Sequence, residues 1–150
     1  MGLDLSTSDL VPEGANNVFL LAPALGAGLD VACTGLLSVA PPERTNMLVV
    51  TSVQTPDERM HAWTSHVGPQ FPERTAFINI GGETRAAVET SRAAAESDGG
   101  TVTVKTVSSP SNLTQIGVEV SQQLAAWEAH EERVVFCFDS LTTLLQYTDV

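Results

Sequence analysis

The chain has 150 residues, 43% of them hydrophobic, with 18 acids against 7 bases and a formal net charge of -11. This length suits one domain with a real core, and the apolar fraction excludes a disordered chain. A field so negative repels phosphates and anionic lipid surfaces, which argues against nucleic acid and membrane partners.

In chain order, residues 1–16 read as a flexible lead-in: Asp4 and Asp9 with no basic region do not make a secretory signal. Residues 17–150 read as a single domain. Val18-Phe-Leu-Leu-Ala22 is a short apolar run, as expected of a parallel strand covered on both faces. A Gly-rich turn, Pro23 to Gly28, precedes a helix expected over Asp30–Val39, with Val31, Leu36 and Leu37 inward and Pro41-Pro42 as its stop. The weakly charged span from Val18 to Pro42 is not a membrane helix, because its prolines, glycines and Asp30 break it.

Asn46 to Ser52 reads as a second buried strand. Thr55-Pro56-Asp57-Glu58 then opens a helix carrying Met60 and Trp63 and stopping near Gly68-Pro69. Thr75 to Ile80 is a third strand, and the polar, Ala-rich stretch 83–100 reads as an acidic loop or surface helix. Thr101 to Val107 alternates, which suits an edge strand with one wet face. Ser111 or Asn112 caps a helix running to about His130, with Leu113, Ile116, Val120, Leu124 and Trp127 at helical spacing. Arg133 to Asp139 reads as the last buried strand, and Leu141 to Tyr147 as the start of another helix. Strands alternating with helices imply an α/β fold with a mostly parallel sheet and helices on both faces.

Among the bases six are Arg and one, Lys105, is Lys. A Lys-poor, acid-rich surface resembles that of proteins from extreme halophiles: at roughly 1 M salt the screening length falls to about 3 Å, and carboxylate repulsion costs little. Cys33 and Cys137 each lie in an apolar segment and read as two buried reduced thiols, without zinc-ligand spacing. His61, His66 and His130 read as surface residues, and the two tryptophans as core.

Three segments in order resemble the RecA/KaiC-like P-loop family: the strand–glycine turn–helix from Val18 to Leu37, the strand and polar turn from Asn46 to Trp63, and Val134 to Tyr147, with Asp139-Ser140-Leu141-Thr142. In that family they are the phosphate-binding loop, the strand ending in paired glutamates, and the Walker B strand. The composition narrows the resemblance to haloarchaeal, signalling-associated KaiC-like proteins, some called HTR-like. The resemblance implies a three-layer RecA-like sheet cut short after the Walker B strand, since the next family strand, which lies between the Walker B and P-loop strands, is missing. It also implies a vestigial cofactor site at Gly26, Gly28, Asp30, Asp139 and Ser140.

The family's chemistry is incomplete in this sequence. Aligning Gly26 and Gly28 with the family's glycines puts Leu29 where Lys neutralises phosphate, and Asp30 where Ser or Thr holds Mg²⁺. A carboxylate at about 4 Å from a phosphate charge costs about 4 kcal/mol at an effective dielectric near 20. Val53 and Gln54 stand where the glutamates stand, and neither accepts a proton from water. Asp30 then reads as a helix N-cap. Asp139 reads as a cap for the helix after Ser140, or else as a water-mediated Mg²⁺ ligand. The expectation is a cytoplasmic, non-catalytic pseudo-ATPase with no metal and no cofactor, working through a protein partner or self-association. The alternative is a residual ATP/nucleotide-binding switch that keeps Mg²⁺.

Overall fold

The computed structural model describes residues 14–21, 28–81 and 100–147. Its elements are α1 (Gly28–Leu37), a 3-10 turn (Pro42–Arg44), β1 (Thr45–Thr51), α2 (Pro56–His66), β2 (Arg74–Ile80), β3 (Thr101–Val107), α3 (Leu113–Trp127), β4 (Arg133–Phe138) and α4 (Leu141–Leu145). The four strands form one sheet in the order β3-β2-β1-β4, and all three pairings are parallel.

β1 is buried along all seven residues because strands flank it on both edges and helices cover both faces. Alternate side chains go to opposite sides of a strand, so β1 feeds two cores. Leu48 and Val50 join Ala76, Ile78, Ile80, Val107, Ile116 and Trp127 on the α3 side. Met47 and Val49 join Leu37, Trp63, Phe71, Phe77 and Val102 on the side of α1 and α2. The fold is therefore three-layered α/β, as the strand–helix alternation implies. Asn46, also fully buried in β1, has neither side-chain polar atom bonded, and nothing in the structure accounts for it.

Local chemistry fixes the helix starts. Thr55 accepts from the Glu58 N–H while the Glu58 carboxylate accepts from the Thr55 N–H, a reciprocal capping box with Pro56 at the first helical position. Asn112 Oδ1 accepts from the Gln115 N–H at the start of α3. Gly68, at φ 145°, follows the end of α2 in a conformation that side chains disfavour. At Gly100 a Cβ would overlap the Pro72 carbonyl oxygen, so only glycine lets the chain enter β3 beside that backbone.

Several expectations are corrected. Val18–Leu21 is not a strand: it makes no ladder, and Phe19 and Leu21 are 73% and 87% exposed. An apolar run becomes a strand only where an edge pairs with it, and none of the four described strands pairs with this run. Ala22 and the turn through Ala27 lie outside the described residues. Among the described residues β4 is not a buried strand but the end of the sheet, with Val134 and Phe136 exposed. Val31 on α1 faces outward, whereas Thr34 and Leu37 face inward. Leu113 and Leu124 on α3 are exposed, and that helix ends at Trp127 rather than near His130. Of the acidic stretch 83–100, residues 83–99 lie outside the described residues.

Candidate functional site

The strand order places a crevice where open α/β sheets put their ligands. The chain leaves β1 through α2, on one face, and leaves β4 through α4, whose Leu144 packs on the other. β1 and β4 are neighbours, so the turns after them diverge at a topological switch point, at the carboxyl ends of the strands. Residues Ser52–Thr55 and Asp139–Ser140 form its walls.

Asp139 bridges the two turns at that point. Its Oδ1 accepts from the Ser52 N–H at 3.0 Å and the Ser52 Oγ–H at 2.8 Å. Its Oδ2 accepts from the N–H groups of Ser52 at 2.9 Å, Val53 at 3.0 Å and Gln54 at 3.3 Å. Three successive amides ahead of a helix are a natural anion seat, and the occupant is the chain's own carboxylate. The sequence expectation that Asp139 caps α4 is corrected. Ser140 is that cap, its Oγ accepting from the Thr143 N–H at 3.2 Å, while Asp139 reaches across to the β1–α2 turn.

Asp30 is likewise not an N-cap. α1 begins at Gly28, so Asp30 lies inside its first turn. The Gln54 Nε2–H donates to Asp30 Oδ1 at 2.8 Å, and Arg59 Nη1 lies 3.6 Å from the same oxygen. Arg59 also donates to Gln54 Oε1 at 3.4 Å, and its side chain is only 6% exposed. Arg59, absent from the expected site, is thus its one buried cation among the described residues. An Arg five residues after a polar turn on a helix that packs inward was the available signal. At the next strand Thr51 Oγ1 donates to Asn79 Oδ1 at 3.0 Å.

The structure brings Asp30, Gln54, Asp139 and Ser140 to one end of the sheet. Gly28 opens α1 nearby, and Gly26 lies outside the described residues. His61, His66 and His130 are exposed. A shallow, open depression lies at the opposite end of β4, lined by Ser121, Leu124, Trp127, His130 and Val134. Among the described residues no group of three His, Cys, Asp or Glu is placed to hold a metal ion, and no helix is long and apolar enough to cross a membrane.

The two cysteines, expected as separate thiols, face each other at the edge of this cluster. Both are free and half-buried. Hydrogen bonding to Cys137 is the main influence that holds the Cys33 thiol down to about 7, with Arg59 adding to it against the cost of burial. Its partner thiol is pushed up, first by that same bond and then by burial.

No curated protein and no solved structure matches the chain. The profile of a family of unknown function, DUF7504, matches residues 15–150, nearly the whole chain, and the protein belongs to that family.

Proposed function

We propose that the chain is a non-catalytic RecA/KaiC-like domain, a pseudo-ATPase acting as a regulatory or protein-interaction module in the cytoplasm of a halophilic archaeon, in signal transduction. The observation that carries this reading is Asp139. A Walker B aspartate serves a metal ion and its waters, whereas this carboxylate spends both oxygens on five hydrogen bonds from four donors of the Ser52–Gln54 turn. The second acid of the cluster, Asp30, is engaged by Gln54 and Arg59. With Leu29 in place of the phosphate-binding Lys, both described acids of the cluster are engaged in hydrogen bonds within it, which supports a structural role.

Support for a protein partner comes from β4. Its outer edge carries no ladder among the described residues, and Phe136 and Val134 are 47% and 40% exposed beside it. An extended apolar strand from a partner protein, laid along that edge, would continue the sheet and cover those side chains.

Thermal unfolding in molar KCl with ATP, ADP and Mg²⁺ tests the reading. The expected result is an unchanged Tm. A nucleotide present at about 100 times its Kd adds about 2.7 kcal/mol of stability. A saturable rise of roughly 5 °C or more would therefore establish the residual nucleotide switch instead, and phosphate release would establish an enzyme.

A further inference from the structure

Cys33 sits on α1 and Cys137 near the end of β4, and the fold packs these elements together. Cys33 precedes Leu37 by one helical turn and so shares its face. That Leu37 belongs to the same buried cluster that Cys137 packs against. The two thiols are hydrogen-bonded to each other across the α1–β4 contact, both free and neither sealed from solvent. The charged groups around them are Arg59 from α2, Asp30 from α1 itself and Asp139 after β4.

We infer that Cys33 and Cys137 form a reversible intramolecular disulfide, made by a peroxide oxidant, that fastens α1 to the edge strand. Cys33 is the attacking sulfur. Its thiolate bonds to one oxygen of hydrogen peroxide and the O–O bond breaks, leaving a sulfenic acid on Cys33 and a hydroxide that takes up a proton. The Cys137 sulfur then attacks the Cys33 sulfur. The S–S bond forms, the S–O bond breaks, and the departing hydroxide leaves as water with the Cys137 proton. Two thiols lose two electrons and one peroxide becomes two waters.

The roles follow from the surroundings. Thiolate is the nucleophile, and the thiol held down to about 7, chiefly by its hydrogen bond with Cys137 and further by Arg59, is Cys33. Because that value is lowered, the reactive form accumulates as pH rises through 7 instead of through the ordinary thiol range. Asp30 and Asp139 oppose this, and the net direction remains downward. The bond would close a loop enclosing β1, β2, β3 and both larger helices, removing much freedom from the unfolded chain. It would also fix α1, and with it the Asp30–Gln54–Arg59 cluster, against the crevice.

The experiment uses the full chain, reduced with dithiothreitol, desalted and treated with stoichiometric hydrogen peroxide. The expected product is a monomer lighter by two hydrogens, with a Cys33–Cys137 cross-linked peptide. Its Tm should rise by about 5–15 °C, and dithiothreitol should reverse the rise. The rate should climb between pH 6 and pH 8 with a midpoint near 7, the value of Cys33. In Cys137→Ser the sulfenic acid should persist on Cys33 and be trapped by dimedone. In Cys33→Ser, Cys137 should react at least tenfold more slowly. Circular dichroism confirms folding, and Cys33→Ala and Cys137→Ala replace any serine variant that fails to fold. Thiols left unreacted, disulfides between chains, or a cross-link formed only after denaturation would overturn the inference. None of these outcomes depends on whether nucleotide binds.

Discussion

At the level of single residues, Asp139, expected as a helix cap or a water-mediated Mg²⁺ ligand, accepts five hydrogen bonds from the Ser52–Gln54 turn. Hydrogen bonds to a charged acceptor contribute about 1.5–3 kcal/mol, and amides left unpaired cost a further part of their desolvation. In Asp139→Asn the side-chain NH₂ would face the N–H groups that now donate to the carboxylate. The expected loss is about 2–4 kcal/mol in denaturant unfolding, without a change of fold. A loss below about 0.5 kcal/mol would mean that the turn holds itself and that the carboxylate is available for other work. Arg59 belongs to the same reasoning. A guanidinium this buried persists because Asp30 and Gln54 both face it.

At the level of elements, α2 is the helix whose start depends most visibly on its own sequence. Thr55→Ala removes the hydroxyl that accepts from the Glu58 N–H and should cost about 1 kcal/mol of stability. Restoring the cap with Thr55→Ser should recover most of that loss in the same unfolding measurement. This start was legible because its signals lie within four residues. β1 and β2 were legible for a related reason: a continuous apolar run bounded by turn residues has few alternatives to a covered parallel strand. The run at Val18–Leu21 carries the same pattern and forms no strand, because pairing with an edge is set by the assembled fold and the pattern does not encode it. Asp139 was found as a residue and missed as a contact. Its partners on the β1–α2 turn are set by strand order, which periodicity does not encode. The meeting of Cys33 with Cys137 escaped for the same reason, as each looked like an ordinary buried thiol within its own segment.

For the molecule as a whole, the acidic surface and the strand–helix alternation announced the class, and the sheet order β3-β2-β1-β4 supplied what they left open. The chain runs outward through β1, β2 and β3, then returns across the sheet through α3 to β4. Since parallel crossovers keep one hand, reversing direction moves α3 to the face opposite α2, and so each face is covered. The full burial of β1 has a consequence for how damage spreads. Val49 and Val50 are chain neighbours, yet they belong to different interiors divided by a wall of backbone hydrogen bonds. Val49→Ala and Val50→Ala should each cost about 1–3 kcal/mol, and together the sum of the two to within about 0.5 kcal/mol. A marked departure from that sum in a double-mutant cycle would show that strain crosses the wall. In this protein, closeness along the chain and closeness in energy are separate things.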